Sequence, residues 1–172
     1  MDERTVLRPG DYLTDDDRRI LLFLVGPIFG APAWQDMART AIHDLRSDIV
    51  VVNPCLAEPN GNLGFEDQLA WERHYRRVTG DPRFGATLVW LPRQATDFPE
   101  HDYAQTSRYE VGELAAWHQH QGSRASLGIE PGFRGERFIR HCWRLECPGV
   151  KVSDSLQETC EEAVRVASRA RA

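Results

Sequence analysis

Hydrophobic positions along this chain follow two rhythms. Residues 20–25 (Ile-Leu-Leu-Phe-Leu-Val), 49–52 (Ile-Val-Val-Val) and 86–91 (Ala-Thr-Leu-Val-Trp-Leu) are continuous, mostly apolar runs closed by glycine or proline signals. Short runs of that kind predict strands buried on both faces. Between them the spacing changes to three and four. Trp34, Met37, Ala38, Ala41, Ile42 and Leu45 recur at helical intervals behind Pro32, which suits a first helical position. Residues 67–78 predict a second helix carrying Leu69, Ala70, Trp71, Tyr75 and Val78. Val111, Leu114, Ala115 and His118 mark one face of a third, with Thr106 or Ser107 as its cap. Residues 125–130 predict a fourth strand, residues 135–141 a short helix, and 153–170 a terminal helix capped by Ser153 or Asp154. A fifth strand is weakly signalled somewhere between Trp143 and Val152.

Strands alternating with helices predict an α/β domain with a largely parallel sheet of about five strands. The domain is expected to span residues 19–172. Residues 1–18 are polar and turn-rich, and predict a loose arm that Tyr12 and Leu13 could dock. Residues 53–65 and 92–104 predict long loops at strand ends.

Composition narrows the function classes. The chain has 172 residues, enough for a substantial core without cross-links. Its 26 acidic residues outnumber 21 basic ones, and no basic tail is present, which argues against a nucleic-acid polymer as partner. No apolar run approaches 18 residues, so no membrane helix is expected. Four cysteines without a C-x-x-C read as free thiols, and Met1-Asp2-Glu3-Arg4 does not open a signal peptide. A cytoplasmic location is expected.

Several chemistries are disfavoured by missing patterns. There is no Walker A sequence, no G-x-S-x-G, no H-E-x-x-H, and the loop Gly26-Pro27-Ile28-Phe29-Gly30 does not match G-x-G-x-x-G. Neither a metal nor another cofactor is expected. His118 and His120, two residues apart, face different sides of a helix. The candidate groups that remain are Glu110, at the start of the third helix, and Glu72, on the second. A pair of carboxylates can cleave a glycosidic bond through a covalent intermediate. Glu110 has a plainer reading too: Ser107-x-x-Glu110 fits a capping box, which would place Glu110 in the first helical turn. The loops after the strands at Gly26, at Asn53-Pro54 and at Pro92 should open at one sheet edge, where α/β folds bind ligands. Trp71, Trp90 and Trp117 read first as core side chains.

Taken in order, Gly26-Pro27-Ile28, Val51-Val52-Asn53-Pro54, Ala70-Trp71-Glu72, Leu88-Val89-Trp90-Leu91-Pro92 and Ser107-Arg108-Tyr109-Glu110-Val111-Gly112-Glu113 resemble the nucleoside 2-deoxyribosyltransferase family. The segment Leu127-Gly128-Ile129-Glu130-Pro131-Gly132 is similar to its broader group, so the resemblance covers roughly residues 20–142. It implies a flavodoxin-like sheet, a homo-oligomer, and cleavage or transfer at the N-glycosidic bond of a nucleoside or nucleotide. It also implies Glu110 as nucleophile and Glu72 as the assisting carboxylate, with Gly26, Pro27, Asn53 and Trp71 around the substrate. If the substrate is a nucleotide, Arg108, beside a helix start, would meet its phosphate; pairing with Glu113 or solvent is the equally open alternative. The alternatives are an N-glycoside hydrolase and a catalytically silent nucleotide-binding module.

Overall fold

The computed structural model describes residues 6–14, 17, 19–56 and 63–171. Six strands form one sheet in which every pairing is parallel: β1 (Val6–Leu7), β2 (Leu21–Val25), β3 (Val50–Val52), β4 (Gly85–Leu91), β5 (Ala125–Ile129) and β6 (Val152–Ser153). Their order is β1-β3-β2-β4-β5-β6. Without β1 this is the flavodoxin-like order 2-1-3-4-5. Helices α1 (Trp34–Leu45), α2 (Phe65–Gly80), α3 (Gln105–Gln121), α4 (Glu136–Glu146) and α5 (Leu156–Ala167) flank it.

The side-chain alternation of the strands sorts the core into two layers. Leu22 and Leu24 of β2 pack with Trp34, Ile42, Cys160 and Ala163, so α1 and α5 cover one face. Leu21, Phe23 and Val25 pack with Trp71, Tyr75, Val111, Leu114 and Trp143, so α2, α3 and α4 cover the other. Every residue of β2, β3, β4 and β5 is buried, as the unbroken apolar runs require.

The loose arm is corrected. Val6 and Leu7 pair with Val51 and Val52 and add a sixth strand at the sheet edge. Behind them the Trp71 indole donates to the Asp11 carbonyl at 2.7 Å, and Leu13 N–H donates to the Tyr75 hydroxyl at 3.0 Å. Two residues of strand carry too little periodicity to announce themselves, and their partner strand is remote in sequence. The weakly signalled strand is β6, equally short. The helix expected at 135–141 runs on to Glu146, and the terminal helix begins later than expected, with Ser155 accepting from Glu158 N–H at 3.2 Å as its cap. Much of the long loop expected at 53–65 falls on residues 57–62, outside the described residues.

Candidate active site

Strand order reverses between β2 and β4: the chain steps one way from β2 to β3 and the other way to reach β4. The loops leaving these two strands must part there, and a crevice opens at the carboxyl edge. A cavity of about 570 Å³ occupies that place, a volume that suits a small organic ligand. Leu24, Gly26 and Pro27 at the end of β2, Pro54 after β3, residues of the 92–104 loop, and the first turns of α3 line it.

Gly26 is required by crowding. A Cβ there would collide with the Trp90 carbonyl oxygen and lie 2.7 Å from the Trp34 ring. Trp34 is held in turn, because its indole donates to the Pro27 carbonyl at 2.9 Å. Gly30, at φ 75°, brings the two loops together: its carbonyl accepts from Ala95 N–H at 2.8 Å and Thr96 N–H at 3.1 Å. Above this seam Phe29 stacks on Phe98 with ring centres 4.1 Å apart and meets the His101 ring at 5.0 Å. Phe29 nevertheless keeps 57% of its surface exposed, so a planar ligand could use it as a stacking face. Nothing in the sequence pattern of Phe29, Phe98 and His101 announced this cluster.

Glu110 and Glu72 both line the cavity. The capping-box reading of Glu110 is corrected. Helix α3 begins at Gln105 behind Ala104, which adopts a left-handed conformation (φ 57°, ψ 25°), and no side chain caps it. Neither Thr106 nor Ser107 is the cap, and Glu110 is the sixth helical residue rather than a member of the first turn. A non-glycine residue at positive φ is strained by about 1–2 kcal/mol, and such residues cluster at functional sites. Here the strain turns the 92–104 loop sharply into α3.

Glu110 is 11% exposed. Burial pushes its carboxyl up to about 7; Arg76 opposes that rise and Glu72 adds to it. Glu72 is raised as well, chiefly by burial, against a hydrogen bond from Gln68 Nε2 at 2.8 Å and the charge of Arg76. The two carboxyls are coupled, so ionising one makes the other hold its proton more tightly. That is the equipment for nucleophilic attack combined with proton transfer.

Arg76 is a residue the sequence reading missed. Its Nη1 lies 3.4 Å from Glu110 Oε1, and its Nη2 pairs with Glu113 Oε2. The available signal was spacing: Glu72 and Arg76 are four apart and share a helical stripe beside the buried Trp71 and Tyr75.

The remaining expected site residues divide between the cavity and other places. Gly26 and Pro27 line the cavity, whereas Asn53, Trp71 and Arg108 do not. Asn53 is buried, and its side-chain oxygen accepts from Cys55 N–H at 3.0 Å. Trp71 is fully buried in the core and anchors the arm. Arg108 braces the loop from below. It donates to the Tyr103 carbonyl at 2.5 Å and the Arg134 carbonyl at 3.0 Å, and lies over the Phe133 ring at 5.2 Å.

The cavity's ionisable lining is acidic: Glu72, Glu100, Asp102 and Glu110, with His101 beside them. No lysine or arginine among the described residues lines it. Among the described residues no group of three histidine, cysteine or acidic side chains is arranged to hold a metal ion, and no helix is long and apolar enough to cross a membrane. Neither a protein-family model nor a curated protein matches the chain.

Proposed function

We propose that this protein cleaves the N-glycosidic bond of a nucleoside through a covalent glutamyl–sugar intermediate, passing the sugar to a second base or to water. One observation carries the reading: Glu110, free of any capping role, shares a ligand-sized cavity at the strand-order reversal with a second raised carboxyl, Glu72. The resemblance noted in the sequence assigns the same two residues.

In the first step ionised Glu110 attacks the anomeric carbon. A C–O bond forms, the C–N bond breaks, and its electron pair leaves with the base. Glu72 in its protonated form supplies the proton the departing nitrogen needs. In the second step an incoming base or water attacks the same carbon and gives its proton to Glu72, and the Glu110 carboxylate is released. Phe29 and Phe98 offer a stacking face for the base. The acidic lining repels a phosphate, so a nucleoside is favoured over its 5′-monophosphate. Arg108 is engaged with two backbone carbonyls away from the cavity and does not counter that charge.

The test is incubation of purified protein with a panel of ribo- and deoxynucleosides and their 5′-monophosphates, with and without a different free base. New nucleoside identifies a transferase, and free sugar formed at a rate indifferent to the acceptor identifies a hydrolase. Absence of turnover with every nucleoside and nucleotide, in folded protein, refutes the enzyme reading and leaves a binding module. Glu110→Gln should lower turnover roughly 10³-fold or more, because the covalent route is lost. Glu72→Gln should lower it about 10–100-fold, the scale of lost proton handling.

A further inference from the structure

Arg76 approaches Glu110 from outside the cavity. It does not line the cavity; with Glu113, Tyr109 and Trp117 it lines a separate groove between α2 and α3. One arm of its guanidinium meets Glu110 and the other Glu113, three residues apart on α3 and therefore neighbours along one helix face. The planar fork also lies 5.9 Å from the Trp117 ring centre. Arg76 is 13% exposed and Glu110 11%, so water screens their attraction only in part. No hydrogen bond to Glu110 Oε2 is made among the described residues, which leaves that oxygen for a ligand.

We propose that Arg76 is the positioning residue of Glu110, aiming its carboxylate into the cavity and favouring its ionised form, with Glu113 setting the strength of that hold by competing for the same guanidinium. The inference rests on the reading of Glu110 as nucleophile. The titratable and charged groups around Glu110 all enter the balance: Glu72 and Arg76 from α2, Glu113 from α3, and Glu100, His101, Asp102 and Tyr103 from the loop that lines the same cavity. Only Arg76 and Glu113 act from behind, so altering them leaves the cavity walls in place. Neutralising Arg76 removes a cation and should raise the Glu110 titration. Neutralising Glu113 removes a competing anion and should lower it. The opposed movements report the electrostatic hold on Glu110; lost aim is read separately, from kcat against KM.

The experiment titrates Glu110 in the free protein by carboxyl carbon-13 NMR, with the signal assigned by its loss in Glu110→Gln. Arg76→Met should move the midpoint upward by about one pH unit and Glu113→Gln downward by about half a unit, within the range expected for a single nearby charge. The acid limb of kcat/KM should follow in the same directions, since it reports the free enzyme. Arg76→Lys keeps the charge without the planar fork. It should hold the midpoint within about half a unit of wild type while lowering kcat about tenfold with little change in KM, the signature of lost aim. Thermal melts establish folding, and Glu113→Gln carries the test alone if Arg76→Met does not fold. An unmoved NMR midpoint in Arg76→Met and Glu113→Gln overturns the proposal, whatever the activity. Midpoints that move as expected support the fork, and if the wild type then turns over no nucleoside, it is the reading of the reaction that fails.

Discussion

Replacing Glu110 by glutamine should stabilise the protein above neutral pH while removing its activity. Burial moves this carboxyl from an ordinary 4.5 to about 7. Each tenfold change in proton affinity corresponds to about 1.4 kcal/mol, so the ionised side chain destabilises the fold by about 3 kcal/mol. The sign follows from proton counting. Between pH 4.5 and about 7 the folded chain holds a proton that the unfolded chain has released, so stability falls as pH rises through that window and levels off above it. Glutamine is neutral at every pH and nearly the same shape, and Arg76 keeps Glu113 as a partner. Little gain is therefore expected at pH 5. At pH 8 the gain should approach about 2–3 kcal/mol, which for a chain of this size is roughly 4–12 °C in melting temperature. Paired melts of wild type and Glu110→Gln at pH 5, 6, 7 and 8 measure it. A difference that does not grow with pH would refute the reasoning, because Glu110 would not then be a buried charge kept against the interest of the fold.

Other consequences can be checked separately. The kcat/KM profile should show an acid limb near pH 7, since protonated Glu110 cannot attack; a limb near the ordinary carboxylate range would remove Glu110 as the titrating nucleophile. Gly26→Ala should destabilise by about 2 kcal/mol or more and impair any ligand binding, because its methyl meets the Trp90 carbonyl and the Trp34 ring; an unchanged melt would contradict the crowding described. Arg108→Ala should quicken hydrogen exchange across residues 92–104 by loosening two backbone braces. It should affect nucleoside and nucleotide alike; a selective loss for the phosphorylated ligand would restore the anion role. Cys160, fully buried with its thiol raised to about 12, should resist alkylation under native conditions, and rapid labelling would contradict its burial.

The fold was legible because its strands are buried on both faces, so the runs at β2, β3 and β4 stand out as unbroken apolar stretches. Both edge strands are two residues long, and what makes them strands is their neighbours rather than their own pattern. The carboxylates were legible by spacing along the chain, but the details that decide their chemistry were not. The capping pattern at Ser107 and Glu110 is satisfied in sequence and unused in structure, because the 92–104 loop turns into the helix three residues earlier, through Ala104. Arg108 looked like an anion ligand because it stands near a helix start, yet carbonyls of Tyr103 and Arg134, remote from any motif, claim it. Arg76 and the Phe29–Phe98 contact join segments far apart in the chain, which periodicity does not record.

The seating of α3 bears on how such a site can diversify. Val111, Leu114 and Ala115 are buried against the sheet and fix the rotation of this helix about its axis. Each residue advances a helix by about 100°. A residue inserted between Glu110 and these anchors would swing the carboxylate away from the cavity. One inserted before Gln105 would be taken up by the loop and leave the carboxylate aimed as before. The 92–104 segment, which supplies the largest single share of the cavity lining, can thus gain or lose residues independently of the reacting group. Heritable changes in length can retune what is recognised while the chemistry stays in register.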